Sequence, residues 1–300
     1  LLVLNDEAHH VHDEELAWWK KIENIHEGIK RNNKKGLLAQ LDFSATPKGR
    51  DGVLFPHIVA DYPLVDAIEN GIVKRVIVGE VSKAVEEKRT KNIAKRYRAW
   101  IEAGMARWRE YKQVFKKEKK KPILFLMTED TEKADEVAEY LEQIPDLSGR
   151  VLCIHTDRFH NISKKEEDKM RRAAREIDKN EYEAIVSVMM LKEGWDVKNV
   201  TVIVGLRAFS AEANILPEQT IGRGLRRMDG PGNRDETLDV IGNSNFVSIV
   251  NKLEDEGVAI TRKDLSKEHV SEVPIEPEEK RKEYNILIPL ITQRYVPSIT

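Results

Sequence analysis

Pro122-Ile123-Leu124-Phe125-Leu126-Met127-Thr128-Glu129-Asp130-Thr131 reads as a buried strand running into a helix. The unbroken apolar run Ile123–Met127 leaves no polar face, the mark of a strand covered on both sides. Thr131–Ile144 predicts a helix, Arg150–His155 a strand and Lys164–Lys179 a polar helix. Ala184–Val188 and Val200–Leu206 predict two more strands. A helix starts at Pro217, whose fixed φ suits a first turn, and Thr237–Ile241 closes the series as a strand. Strands separated by helices need crossover connections, so the expected fold class is α/β, with a parallel sheet and helices on both faces.

Upstream, Leu1-Leu2-Val3-Leu4 predicts another buried strand. A helix follows with Leu16, Trp19, Ile22, Ile25 and Ile29 on one face, Trp19 in a core and Trp18 half exposed. Leu37–Phe43 predicts a strand stopped by Ser44-Ala45-Thr46-Pro47; Leu64–Asn70 is a short helix and Val76–Val78 a strand. Residues 84–120 form one long basic helical pattern, its apolar stripe running from Ile93 to Phe115, either bent at Gly104 or broken into two helices. This segment is expected to connect two lobes. A last helix spans Asn245 to Glu256, after which the chain turns acidic and proline-containing.

Three hundred residues give room for about two domains. No run of about 18 apolar residues occurs, which excludes a membrane-spanning helix. The lone cysteine, Cys153, cannot form an internal disulfide, as suits a reducing, cytoplasmic setting. Fifty basic and 52 acidic residues leave a net charge of -2, so no global field draws polyanions. Local patches must carry any nucleic-acid contact, as between Lys83 and Lys121, where 15 Lys/Arg face 5 Asp/Glu.

Ligand-binding residues of parallel sheets lie beyond the carboxyl ends of strands, and four stretches are expected there. Asp6-Glu7-Ala8-His9 offers adjacent carboxylates, suited to a Mg²⁺-nucleotide site; acidic pairs at strand ends are also common without function. Ser44-Ala45-Thr46-Pro47 has small hydroxyl residues that equally suit a plain turn. In Lys192-Glu193-Gly194-Trp195-Asp196, Gly194 permits close backbone approach to a phosphate, and Asp196 can accept hydrogen bonds. In Gln219-Thr220-Ile221-Gly222-Arg223-Gly224-Leu225-Arg226, the arginines are three apart and on a helical turn would point one way, as a γ-phosphate clamp or as a solvated basic turn. His9-His10-Val11-His12 lacks a second ligand pair at metal spacing and does not read as a transition-metal site. Glu278-Glu279-Lys280 has no buried strand to present it as a nuclease site.

Taken in order, Asp-Glu-Ala-His, Ser-Ala-Thr, Gly-x-Asp and Gln-x-x-Gly-Arg-x-x-Arg resemble motifs II, III, V and VI of superfamily 2 helicases of the DEAH type. Ile123–Glu129 falls in the place of motif IV, and the resemblance covers about residues 1 to 245. Within the superfamily the motifs look most like the Res subunit of type III restriction enzymes. The resemblance implies RecA-like parallel-sheet lobes, the first incomplete and the second complete. Residues 1–82 would end the first lobe, 83–121 would be the connector, 122–245 the second lobe, and 246–300 the start of a following region. It also implies ATP and Mg²⁺ as ligands, with Asp6 holding the metal and Glu7 as catalytic base. His9 would couple nucleotide state to the second lobe, and Ser44 and Thr46 would link hydrolysis to strand movement. Gly194 and Asp196 would face both the nucleotide and the nucleic acid. Gln219, Arg223 and Arg226 would reach the γ-phosphate, Arg226 as the arginine finger. Thr220 stands where many family members have a basic residue.

No Gly-x-x-x-x-Gly-Lys-Ser/Thr occurs in the sequence, so the cradle for the β- and γ-phosphates is not among these residues. The expectation is a fragment of a longer motor, inactive alone. Its implied partners are DNA, gripped through the phosphate backbone, and a modification (methyltransferase) subunit. A repair or remodelling helicase of the same superfamily stays open, as does a nucleic-acid-binding module without ATPase activity.

Overall fold

The computed structural model describes residues 1–6, 8, 17–32, 35–44, 54–55, 57–81, 90–154, 164–188, 197–206, 221–230, 235–255 and 257–265. The chain forms two compact units, Leu1–Pro63 and Leu64–Thr300. In the first, β1 (Leu2–Asn5) and β2 (Ala39–Asp42) pair in parallel, with α1 (Ala17–Arg31) between them in sequence. The expectation of a buried first strand is not met: Leu2 and Leu4 are 48% and 62% exposed. α1 buries none of its residues, and Trp19 is half-buried and not core. A sheet of two described strands offers too little surface to cover a helix of 15 residues.

The second unit is built on a seven-stranded, all-parallel sheet. Its strands are β3 (Arg75–Glu80), β4 (Ile123–Thr128), β5 (Val151–Ile154), β6 (Ala184–Val188), β7 (Val200–Gly205), β8 (Thr237–Gly242) and β9 (Thr261–Asp264). The spatial order is β5-β6-β4-β7-β8-β3-β9. β4 is buried along its whole length, and alternate residues serve different layers. Ile123, Phe125 and Met127 face one core, shared with Ala174 of α6 (Lys164–Arg175) and with Phe246 and Val250 of α7 (Ser244–Asp255). Leu124 and Leu126 face the other core, under α3 (Ile93–Arg96), α4 (Arg98–Phe115) and α5 (Thr131–Glu142). The period-2 side-chain alternation of a strand thus divides one apolar run between two layers of helix. The α/β parallel-sheet expectation holds.

Three expected boundaries do not coincide with those of the sheet. Residues 64–82 do not complete the first unit, because Val76 pairs with Leu238 and Ile77 with both Asp239 and Thr261. An apolar triplet specifies a strand but not which sheet it joins. Nor is 83–121 a free connector: Trp100, Ile101, Met105, Trp108, Tyr111 and Phe115 are buried on the sheet. The sheet likewise runs past residue 245, since β9 is its edge strand.

Of the two expected forms the break is found: the helices α3 and α4 part at Tyr97, and α4 runs through Gly104. Gly104 serves close approach: a Cβ there would lie 2.4 Å from Val204 Cγ2. Overpacking of this kind costs about 1–3 kcal/mol, more than the roughly 1 kcal/mol of helix propensity that alanine gains. Gly104→Ala is therefore expected to lower the urea midpoint at unchanged m-value; a raised midpoint would mean that the helix shifts freely on β7.

Candidate functional site

Asp6 follows β1 directly and Ser44 lies two residues beyond β2. Because the strands are parallel and Asn5 is in register with Asp42, both residues emerge at one carboxyl edge. Hydrogen bonding continues past the strands: Phe43 N–H donates to the Asn5 carbonyl and Ala8 N–H to the Phe43 carbonyl, each at 2.9 Å. Asn5 Nδ2 donates to Asp42 Oδ1 at 2.7 Å, and Gln40 Nε2 donates to both oxygens of that carboxylate at 3.0 and 2.9 Å. Ala8 is fully buried, which anchors the backbone beside the exposed Asp6. The structure thus brings the first two motif segments together. An exposed carboxylate at a strand end fits a hydrated Mg²⁺, which is held through few protein oxygens; among the described residues no group of three or more His, Cys, Asp or Glu makes a fuller cage. Glu7, His9 and Thr46 lie outside the described residues, as do Gly194, Asp196 and Gln219.

In the second unit, residues 221–224 form a helical turn whose Ile221 and Leu225 are buried in the core. Arg223 and Arg226 are both partly exposed. The expectation that they share a helical turn is met only in part. Arg226 N–H donates to the Arg223 carbonyl at 3.2 Å, but Arg226 itself forms an antiparallel bridge with Val73. Its backbone is set by pairing and not by helix periodicity. That bridge lies beside the amino end of β3, so Arg226 is not beyond a carboxyl end as expected. The reason is topological: the turn that begins after β7 has already returned toward the start of β8.

Two features behind this turn were not singled out from sequence. Lys74 is fully buried, and burial pulls its ammonium down to about 7 against the opposing pull of Glu236. Glu236, also buried, accepts the N–H groups of Met228 and Asp229 at 2.8 and 3.0 Å and lies 3.5 Å from Arg227. A lysine one residue before a strand carries no local signal of burial.

The basic residues of α4 are committed elsewhere. Arg107 is buried against Asp239, Arg109 pairs with Asp146 at 2.7 Å, and Lys112 pairs with Glu183 at 2.5 Å above the Trp108 ring. Their aromatic neighbours form a packing seam. His155-Thr156-Asp157-Arg158 lies outside the described residues.

A seven-stranded parallel sheet between two helical layers, with the arginine-bearing turn beside the amino end of β3, is a RecA-like fold, similar to that of solved helicase domains. Among solved structures, a variant of S. cerevisiae Dbp5 bound to RNA and ADP BeF3 matches with a TM-score of 0.52 at 14% identity, covering 88% of this chain and 59% of that one. S. cerevisiae Dbp5 bound to RNA and ADP BeF3 matches at 0.50 and 14%, with coverage of 88% and 59%. The ATP-dependent Type ISP restriction-modification enzyme LlaBIII bound to DNA scores 0.46 at 15% identity, over 88% of this chain and 22% of that one, which is too low to bear on function. At such identities the likeness is one of fold, and the chain spans 59% of the Dbp5 length. No protein-family model matches, and no curated protein does.

Proposed function

We propose that the chain is part of an ATP-dependent DNA translocase or helicase motor, of the kind found in the Res subunit of type III restriction enzymes. The observation that carries this reading is the β1–β2 register, which presents Asp6 and Ser44 at one carboxyl edge in a chain that has a superfamily 2 fold. Asp6 would hold Mg²⁺, which when bound offsets charge on the phosphate oxygens of ATP. Glu7 would take the proton of the attacking water, and His9, Ser44 and Thr46 would link nucleotide state to nucleic-acid grip. Gly194 and Asp196 would line the nucleotide side of what would be the second lobe. Gln219, Arg223 and Arg226 would act on the γ-phosphate. DNA would be held through its phosphates, which a sequence-independent motor needs. A separate methyltransferase subunit would read the target sequence, in the cytoplasm. No helix among the described residues is long and apolar enough to cross a membrane. RNA is the second reading, favoured by the RNA-bound Dbp5 structures.

The test compares this chain with one extended upstream to carry a phosphate loop. The 300-residue chain is expected to hydrolyse ATP negligibly, and the longer one to turn over ATP under DNA stimulation. Glu7→Gln should lower that turnover by about a hundredfold or more while ATP binding survives, since removing a base costs chemistry more than affinity. Motor-rate hydrolysis by the shorter chain would overturn the assignment of the phosphate cradle to other residues. Stimulation by RNA above that by DNA would select the second reading.

A further inference from the structure

Lys74 grips the backbone around Arg226 from behind. Its Nζ donates to the carbonyls of Lys198 at 2.7 Å, Val200 at 2.6 Å and Gly224 at 3.2 Å. Its own N–H donates to the Leu225 carbonyl at 2.8 Å. One residue thus holds two consecutive carbonyls of the turn and ties them to the entry of β7. The flanking residues complete the bracket: Val73 bridges to Arg226, and Arg75 N–H donates to the Glu236 carbonyl at 2.9 Å. The three donors of an ammonium match the three carbonyl acceptors around it. Gly224 leaves no slack, because a Cβ there would lie 2.8 Å from Ile203 Cδ1 and 2.9 Å from Leu238 Cδ2. An apolar side chain at 74 would take one donor from each of three carbonyl oxygens.

We infer that Lys74 is a positioning residue, which sets the backbone of residues 224–226 and through it the presentation of Arg223 and Arg226 to an anionic phosphoryl group. The inference rests on the proposed ATPase reading. It differs from a bulk stability role in where its effects fall: removing the ammonium should loosen one turn and slow chemistry, leaving nucleotide affinity and the distant strands largely intact.

Two measurements separate the layers of this claim. In the 300-residue chain, Lys74→Met and the milder Lys74→Gln, which keeps two donors, are compared by amide hydrogen exchange. Exchange at Leu225 and Arg226 should rise about tenfold or more in Lys74→Met and less in Lys74→Gln, with β4 and β7 unchanged. Exchange that stays level, or rises equally throughout the sheet, overturns the positioning role. In the longer, phosphate-loop-carrying chain, Lys74→Met should lower kcat by roughly a hundredfold with little change in KM, as misplacement of a reacting group does. Combined with Arg226→Ala it should cost less than the product of the two single effects, because the two changes share the Arg226 contribution and only that of Arg223 is lost in addition. Effects that multiply, or a kcat at the parent level, overturn the inference. A parent chain without ATPase activity would sink the proposed function and the catalytic half of this inference with it; the exchange result would still decide whether Lys74 holds the turn.

Discussion

Arg226→Ala, in a chain carrying a phosphate loop, is expected to lower ATP turnover by at least about a hundredfold. Arginines that contact a γ-phosphate only in the closed state stabilise the transition state above the ground state, and contribute roughly 10³- to 10⁵-fold, or about 4–7 kcal/mol. The lower figure expected here allows for Arg223, which lies one turn away and whose carbonyl accepts the Arg226 N–H. Arg226→Lys should rescue poorly, since a point charge does not reproduce the two-pronged guanidinium. The backbone at 226 is fixed by its bridge to Val73, so substitution of the side chain should leave the turn in place. DNA binding without nucleotide should change little. Steady-state ATPase beside a DNA titration at matched salt reads both quantities; near-normal turnover with weakened DNA binding would move Arg226 to the nucleic-acid track.

The second large effect is on stability. Asp239 lies in the middle of β8 and is fully buried. Its Oδ2 accepts from Arg107 Nε, and its Oδ1 accepts from the Tyr111 hydroxyl at 2.5 Å. Burial works against the Arg107 charge, but the hydrogen bond and charge of Asp239 outweigh it and hold the guanidinium above its ordinary value. Burial, reinforced by Asp239, pushes the Tyr111 hydroxyl up, so it remains a neutral donor. Asp239→Ala would strand a guanidinium whose side chain is 5% exposed, with only the half-exposed Glu110 as a remaining carboxylate. Breaking a buried pair in this way costs about 3–5 kcal/mol, whereas replacing both members by apolar residues costs much less. Urea unfolding of Asp239→Ala, and of Arg107→Met with Asp239→Leu, should show that order. A loss under about 1 kcal/mol for Asp239→Ala would mean that water or Glu110 compensates. The unfolded Tyr111 hydroxyl ionises near 10 and the folded one higher, so its contribution is whole below pH 10 and falls away above it.

Why some features were legible and others not is clearest at particular residues. Ile123–Met127 could be read directly because five apolar residues in a row have few physical fates, and the polar stop at Thr128–Asp130 supplies the helix start. Asp130 proves to be that cap, its Oδ1 accepting the Lys133 N–H at 2.9 Å. The apolar stripe read from Ile93 to Phe115 is also buried, since a face of that period has to be covered somewhere. The conformation of Arg226 was not legible: a three-residue spacing describes a helix, and the chain leaves the helix at Leu225 to pair with Val73.

Burial pattern and turn chemistry are local properties, so the parallel α/β class and every described strand but β9 could be read along the chain, and the candidate phosphate-handling residues nominated. Only the tertiary structure decided that Arg75–Glu80 joins the sheet of residues 123–264, through its register with Thr237 and its neighbours. It alone decided that the basic helix 98–115 spends Arg107 on Asp239, 132 residues away. It also decided that Lys74 and Gly224, separated by 150 positions, share one hydrogen bond. A carbonyl or a buried carboxylate has no periodicity to betray which distant side chain will meet it; that choice is made by closing the sheet, when every group taken from water must find a partner.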